Sequence, residues 1–290
     1  MAVSNRVLTA AGLRLSGLEA RPDAEPARAT ILALPGGGYT ARYWHNPIDP
    51  DGSLLKLGAR LGYRVISVDR PGYGLSTGSG GKLTDQAEVL TDLVERLGND
   101  VDAGAGIFLI GHSMGGILSL MIAATQRNGK LLGVDVSGVP HRFTEQLATS
   151  MDETVVELKD APAAATPKER REALFYGPAG AYDPRMLDSE DAWSQAPPLV
   201  EMEDAYSWPS KFTEVSERVC VPVQYTLGEY EQVTKADWPA LEEIRSCFLN
   251  AERVVMQSQL GASHNVSLHR VARAYHLRAL AFFDEILALS

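Results

Sequence analysis

Short apolar runs alternate with longer amphipathic segments along most of the chain. Such runs of four to eight residues, bounded by turn residues, predict buried strands, and the segments between them show helical periodicity. An alternation of this kind predicts an α/β fold with a mostly parallel central sheet covered by helices on both faces. The predicted strands span residues 6–9, 13–19, 30–34, 64–68, 107–110, 131–136, 221–227 and 253–257, the first two as an antiparallel pair. The main predicted helices span residues 47–61, 83–97, the stretch after Ser113, and 269–289.

The alternation breaks between residues 139 and 217, which are rich in Ala, Pro, Glu, Asp and aromatic residues. A segment this long between two strands is expected to carry structure of its own, and residues 144–159 and 167–175 have helical patterns. We therefore predict a core domain of residues 1–138 and 218–290 with a helical cap, residues 139–217, inserted into it. We expect Tyr176, Trp193 and Trp208 to contribute to a substrate pocket under this cap, although aromatic residues could equally serve to dock the insertion onto the core.

Composition narrows the class of protein further. The 290 residues are 45% hydrophobic and carry a net charge of −10, so nonspecific binding to nucleic acid or to an anionic membrane is not expected. Cys220 and Cys247 belong to no metal-binding pattern and are predicted to be reduced, buried thiols. No stretch of 18 apolar residues is present, and the N-terminal residues lack the apolar region of a signal peptide. A cytoplasmic location is the expectation.

The strongest chemical signal is the sequence Gly111-His112-Ser113-Met114-Gly115, which joins an apolar strand to an apolar helix. A serine at such a sharp strand-to-helix turn has its hydroxyl exposed at the edge of the sheet, and the flanking glycines allow the bend. The backbone N–H of Met114 then points at any oxyanion that forms beside Ser113. We predict Ser113 to be a catalytic nucleophile.

A serine nucleophile requires a base, and the base requires a carboxylate that orients it. Loops that follow the last two predicted strands supply candidates in the order expected for this topology, with Glu231 as the acid and His264 as the base. Glu229 and Asp135 remain alternative acids.

Other histidines compete less well with His264 for the role of base. His269 and His276 fall in the predicted closing helix and are more simply explained as packing or surface residues. His112 is expected to support the turn at Ser113 and to face substrate. His45 and His141 are candidates for the entrance of the site.

Together these motifs resemble the α/β-hydrolase superfamily, in its cap-bearing branch, from about residue 29 to residue 289. The resemblance implies the α/β-hydrolase fold and places the triad acid three residues after the glycine that ends the penultimate strand, at Glu231. Aspartate is more usual at that position, and Pro35-Gly36 stands where the superfamily usually has His-Gly. The motifs that carry the resemblance are 34–38 (LPGGG), 69–76 (DRPGYGLS), 111–116 (GHSMGG), 228–231 (GEYE) and 261–264 (GASH).

The oxyanion hole needs a second N–H donor besides Met114, and Gly37 or Gly38 is predicted to provide it because glycine lets backbone approach substrate closely. Tyr39, next to this loop, is a further candidate for substrate contact. The loop lacks the spaced glycines of a nucleotide-binding motif.

These residues predict a serine hydrolase that cleaves an ester, thioester or related acyl bond of a small molecule through a covalent acyl-enzyme. No metal or organic cofactor is implied. Acyl transfer, cyclisation or hydrolysis of a carbon–carbon bond could use the same triad. A binding protein that retains the fold without turnover is the alternative of another class. The sequence leaves the substrate and the oligomeric state open.

Overall fold

A computed structural model describes residues 2–23, 26–46, 48–78, 80–126, 129–148 and 168–289. Its centre is an eight-stranded sheet in the order β1-β2-β4-β3-β5-β6-β7-β8. β1 pairs with β2 and β2 pairs with β4 in antiparallel orientation, and the six strands β3 to β8 run parallel to one another, so the sheet is mostly parallel with an antiparallel start, as predicted. The strands are β1 Val3–Ala10, β2 Leu13–Ala20, β3 Thr30–Leu34, β4 Arg64–Val68, β5 Ile107–His112, β6 Leu131–Ser137, β7 Val223–Gly228 and β8 Val254–Gln259.

The central strands are buried along their whole length, which explains why their sequences are largely apolar. Every residue of β3, β4, β5 and β7 is buried, as expected for parallel strands covered on both faces. β7 begins immediately after Pro222, because proline lacks the N–H that a central strand must donate.

Helices cover both faces of the sheet. They are α1 Leu54–Arg60, α2 Leu83–Gly98, α3 Met114–Thr125, α4 Lys168–Arg171, α5 Pro184–Ser189, α6 Leu199–Ser207, α7 Phe212–Glu217, α8 Trp238–Ser246 and α9 Ala272–Leu289. α2 and α3 contribute to one apolar cluster, and α1 and α9 contribute to the other. The fold class predicted from the sequence is therefore confirmed.

Some predicted boundaries were wrong for identifiable reasons. The helix predicted for residues 47–61 begins only at Leu54, because the Ser53 hydroxyl accepts the Lys56 N–H and caps it there. α8 was not predicted; it begins at Trp238, directly after Asp237, whose carboxylate accepts the Ala240 N–H and caps the helix. Cys247 is buried as expected, but Cys220 is exposed, since it lies in the connection before β7.

The connection from β6 to β7 contains the residues that were predicted to form a cap. The predicted helix 144–159 falls mostly outside the described residues, and the other, 167–175, is seen from residue 168 as α4 continued by a turn of wider π-type helix, Glu172–Tyr176. We call residues 168–217 the cap segment; α4 to α7 all lie within it. Among the described residues, no helix is both long and apolar enough to cross a membrane.

Candidate active site

Ser113 occupies the turn between β5 and α3 in a strained backbone conformation. Its φ of 51° and ψ of −118° lie in a region that residues other than glycine rarely adopt. Its N–H donates to the Ser137 carbonyl at 2.8 Å, which ties the turn to the end of β6. Strain held in this way is typical of functional sites, and it leaves Ser113 partly exposed among buried neighbours.

The glycines that flank Ser113 are required by close backbone contacts. A Cβ on Gly111 would lie 2.4 Å from the Gly115 carbonyl oxygen, and a Cβ on Gly115 would lie 2.1 Å from the Leu34 carbonyl oxygen. Such distances are far below van der Waals contact with atoms that cannot move aside. The Gly-x-Ser-x-Gly pattern therefore has a direct steric cause in this chain.

His264 is held by Glu231. The imidazole Nδ1 lies 3.0 Å and 3.1 Å from the two carboxylate oxygens of Glu231, and both side chains are almost completely buried. The Val233 N–H donates to Glu231 Oε1 at 2.9 Å and fixes the carboxylate. With Nδ1 donating to this carboxylate, the other ring nitrogen, Nε2, is left as a proton acceptor.

The alternative acids make other contacts. Glu229 is exposed, and its carboxylate accepts the Gly261 N–H at 2.8 Å. Asp135 is fully buried and accepts hydrogen bonds from Tyr275 and Gln224, both at 2.6 Å. Burial raises the pKa of Asp135 to about 6. None of these contacts of Glu229 and Asp135 involves a histidine.

Four other histidines make hydrogen bonds or ring contacts with residues outside the proposed triad. The His269 Nδ1 lies 2.8 Å from the Asn265 carbonyl, and the His276 Nδ1 lies 2.6 Å from the Gly52 carbonyl. His45 bonds to the Ser53 hydroxyl, and the His141 ring packs against Phe212. The described residues that line the cavity beside Ser113 include His112 and His264 and none of these four histidines.

His112 is held in the site by ring stacking and by hydrogen bonds to both of its nitrogens. Its ring stacks on Tyr43 with centroids 4.7 Å apart, and its nitrogens lie 3.1 Å from the Ser137 hydroxyl and 3.2 Å from Asn265 Oδ1. Burial, and next to it the neighbouring His264, lower its pKa well below the ordinary value. His112 is therefore neutral at physiological pH, and its ring connects Ser137 and Asn265 through hydrogen bonds.

The glycine loop after β3 lies directly beside Ser113. A Cβ on Gly36 would be 3.3 Å from the Ser113 Cβ, and one on Gly37 would be 2.6 Å from the Met114 sulfur. The Gly38 N–H is already used, because it donates to the Tyr73 hydroxyl at 3.3 Å. Gly37 and Met114 are thus the better placed of the predicted oxyanion donors, with Met114 at the positive N-terminus of α3.

Buried polar side chains hold the glycine loop after β3 in place. Arg70 donates to the Gly36 carbonyl at 3.1 Å and forms an ion pair of 2.8 Å with Glu201 of the cap segment. Both charged side chains are fully buried. Tyr73, which accepts the Gly38 N–H, donates to the same Glu201 carboxylate at 3.0 Å. The position of the loop is therefore coupled to the position of α6.

A cavity of about 150 Å³ opens beside Ser113 and His264. Tyr39 and His112 line it, together with residues of the cap segment. Tyr176, Trp193 and Trp208 are not among its described lining residues; they are buried and pack against other aromatic rings. These large aromatic side chains fill the interior of the fold. The apolar lining comes instead from side chains such as Ile117, Phe143, Leu147, Leu174, Phe175, Met202 and Tyr206.

Sequence reasoning missed two residues at this site. Gly138, with a φ of 62°, ends β6, and a Cβ there would lie 2.9 Å from the His264 ring and 3.0 Å from the His112 ring. Asn265 bridges His112 and Tyr39 through its side-chain amide. A glycine at the end of a strand is a visible signal, whereas nothing distinguishes Asn265 in the sequence except its place beside His264.

A sequence profile of the Alpha/beta hydrolase family matches residues 31–285. This match covers most of the chain, from β3 to α9, and includes every residue of the site described above. The chain belongs to the alpha/beta hydrolase family.

Individual relatives match over shorter stretches. Phospholipase YtpA of Bacillus subtilis (strain 168) is 29% identical over 111 residues, which cover 38% of this chain and 39% of that protein. A 2-hydroxy-6-oxononadienedioate/2-hydroxy-6-oxononatrienedioate hydrolase of Escherichia coli O81 (strain ED1a) is 38% identical over 111 residues, 36% of this chain and 34% of the relative. The matched stretch thus spans little more than a third of these relatives' length.

The fold is also similar to that of solved structures. A soluble variant of monoglyceride lipase from Saccharomyces cerevisiae, in complex with a substrate analogue, superposes with a TM-score of 0.75 at 14% identity. The alignment covers 99% of this chain and 96% of the lipase chain. At this identity the likeness concerns the fold.

Proposed function

We propose that the chain is a serine hydrolase that cleaves an ester, thioester or related acyl bond of a small molecule. Ser113 is the nucleophile, His264 the base and Glu231 the residue that orients and charges the base. The observation that carries the proposal is the two-oxygen contact of Glu231 with His264 Nδ1, in a cavity that His264 shares with the strained Ser113.

The chemistry follows from these positions. His264 Nε2 takes the proton of Ser113 while Oγ attacks the carbonyl carbon, and the negative charge that develops on the carbonyl oxygen is stabilised by the N–H groups of Met114 and Gly37. The imidazolium, held by Glu231, returns its proton to the leaving group. A water molecule, activated by the same imidazole, then hydrolyses the acyl-enzyme and frees Ser113.

The cavity supports a partly apolar substrate, because most of its described side chains beyond the triad are apolar or aromatic. One test is hydrolysis of p-nitrophenyl esters of increasing acyl length by the wild type and Ser113→Ala. The proposal predicts that the variant loses turnover and keeps the thermal unfolding midpoint of the wild type. Full ester hydrolysis by a folded Ser113→Ala would overturn it.

A second candidate is hydrolysis of a carbon–carbon bond by the same triad. It is favoured by the 38% identity over 111 residues to a protein named as a 2-hydroxy-6-oxononadienedioate hydrolase. Both candidates use a carbonyl substrate and water, so activity on a dienedioate of that type, compared with activity on simple esters, separates them. Acyl transfer is tested by adding alcohol or amine acceptors and measuring the partition of products.

A further inference from the structure

The peptide unit that joins Gly36 to Gly37 carries the second of the two proposed oxyanion donors, the Gly37 N–H. All three glycines of this loop line the cavity beside Ser113. Gly37 is partly exposed, whereas both of its neighbours are buried. Among the described residues nothing accepts a hydrogen bond from the Gly37 N–H, while the Gly38 N–H donates to Tyr73. Stabilisation of the oxyanion therefore depends on what points the Gly37 N–H at the substrate.

The carbonyl of the same peptide unit is held by Arg70. This side chain is fully buried in the loop that follows β4, and its Nη2 donates to the Gly36 carbonyl oxygen at 3.1 Å. The Tyr39 N–H donates to the same oxygen at 3.3 Å and closes a turn. In a trans peptide the C=O and the N–H lie in one plane and point in opposite directions. Two donors that fix the direction of the Gly36 carbonyl therefore also fix the direction of the Gly37 N–H.

The guanidinium of Arg70 is itself fixed by three neighbours. Its Nη1 donates to Gln86 Oε1 at 2.8 Å, and its Nη2 forms the ion pair of 2.8 Å with Glu201. Its Cζ lies over the Tyr73 ring, 4.3 Å from the ring centroid. Because the guanidinium is planar and rigid, these contacts together set the position of Nη2. The Gly36 carbonyl is thus bound to a donor that has little freedom to move.

We propose that Arg70 is a positioning residue for the oxyanion hole: by holding the Gly36 carbonyl, it aims the Gly37 N–H at the carbonyl oxygen of the substrate. This inference rests on the proposed function. A hydrogen bond from a charged donor also polarises the amide that accepts it, which strengthens the N–H of that amide as a donor. Arg70 is not among the described residues that line the cavity. It therefore acts through the glycine loop and not by contact with substrate.

The test compares an ester with its thionoester, in which sulfur replaces the carbonyl oxygen that becomes the oxyanion. The pair is p-nitrophenyl hexanoate and O-(p-nitrophenyl) thionohexanoate. Sulfur is a weak hydrogen-bond acceptor, so an enzyme whose oxyanion donors are well aimed favours the ester. The ratio of the two kcat/KM values reports on these donors. Unlike the activity itself, this ratio does not change when a variant merely contains less folded protein.

The double variant Arg70→Met/Glu201→Gln removes the donor to the Gly36 carbonyl together with the charge that would otherwise be buried without a partner. We expect the kcat/KM for the ester to fall at least about tenfold, and the ester-to-thionoester ratio to fall about tenfold with it. Glu201→Gln alone leaves Arg70 beside Gly36 and should keep the wild-type ratio. The matched control, Arg64→Met/Glu19→Gln, removes a buried ion pair of 2.7 Å at the other end of β4 and should also keep it.

Arg70→Lys gives a second measurement in which both buried charges remain. Lysine keeps a charge beside Glu201 but lacks the planar fork that holds Gln86, Glu201 and the Gly36 carbonyl together. We expect the ester-to-thionoester ratio to fall in this variant as well. Arg64→Lys makes the same substitution at the other end of β4 and should leave the ratio unchanged. Urea unfolding shows which variants are folded.

The outcomes separate this inference from the function on which it rests. If the wild type cleaves neither the ester nor a matching thioester, the proposed function is overturned and the role of Arg70 with it. If the wild type cleaves the ester and the Arg70 variants keep its ester-to-thionoester ratio, only the role of Arg70 is overturned. The same holds if the wild-type ratio is no larger than that of the uncatalysed reaction with hydroxide, or if the Arg64 variants or Glu201→Gln alone lower the ratio equally.

Discussion

Replacing Glu231 with glutamine tests the proposed triad through the two-oxygen contact with His264. The Val233 N–H requires an acceptor at the Oε1 position, so the amide oxygen will occupy it and the NH₂ group will replace Oε2. That NH₂ group then faces His264 Nδ1, to which Oε2 is 3.1 Å away in the wild type. The amide oxygen at the Oε1 position remains 3.0 Å from Nδ1 and can still accept its proton, so the substitution chiefly removes the negative charge that stabilises the imidazolium.

The magnitude follows from the charge that is removed. An imidazolium and a carboxylate about 4 Å apart at an effective dielectric constant near 20 interact by about 4 kcal/mol. Loss of this interaction in the transition state corresponds to about a thousandfold in rate, since each 1.36 kcal/mol is tenfold. We therefore expect kcat/KM for a good ester substrate to fall by about a thousandfold in Glu231→Gln.

The assay is ester hydrolysis across pH together with urea unfolding, which checks that the variant is folded. Glu229→Gln is the matched control: it lies in the same loop, is exposed and bonds to the Gly261 N–H. We expect it to retain activity within about threefold, because exposed charges contribute little. A folded Glu231→Gln with less than a tenfold loss, or a larger loss in Glu229→Gln, would refute the assignment of the acid.

Three further predictions concern side chains that support the site. Asp135→Asn removes a carboxyl whose pKa burial raises from 3.8 to about 6; because the folded wild type holds this proton longer than the unfolded chain, wild-type stability falls by about 2 kcal/mol as pH rises from 4 to 7. Urea unfolding should show that this decline is missing from the variant, and parallel pH curves would contradict the raised pKa. Gly138→Ala should lower kcat/KM at least about tenfold by displacing His264, and wild-type kinetics would contradict this contact. Glu201→Gln leaves Arg70 buried without its counter-ion and should cost about 3–5 kcal/mol in unfolding free energy, so a loss below 1 kcal/mol would argue against the buried pair.

Much of the fold could be predicted because the sheet is buried on both faces. Strands such as Thr30–Leu34 and Arg64–Val68 are buried throughout, largely apolar and bounded by turn residues, so their bounds agree with the prediction. α1 was predicted too long, because its start depends on one hydrogen bond, which the Lys56 N–H donates to the Ser53 hydroxyl. The apolar periodicity of the sequence extends beyond this helix N-terminus, and the capping serine alone is a weak signal for where the helix begins.

The candidate site, like the fold, could be predicted from the sequence only in part. Ser113, Glu231 and His264 follow strand ends, and parallel strands bring their carboxyl ends together, so their proximity follows from the order of elements. The cavity wall could not be predicted at the same level, because Trp193 and Tyr39 are equally aromatic and only packing decides which one faces the cavity. The contact between Arg70 and Glu201 joins residues distant in sequence, and no local pattern indicates it.

The measurement that tests the central claim most directly is the intact-protein mass after incubation with a fluorophosphonate, for the wild type and Ser113→Ala. An activated Ser113 attacks phosphorus and expels fluoride, so we predict one phosphonyl adduct on the wild type and none on the variant. An adduct of equal yield on folded Ser113→Ala, or no adduct on the folded wild type, would contradict the assignment of Ser113 as the nucleophile.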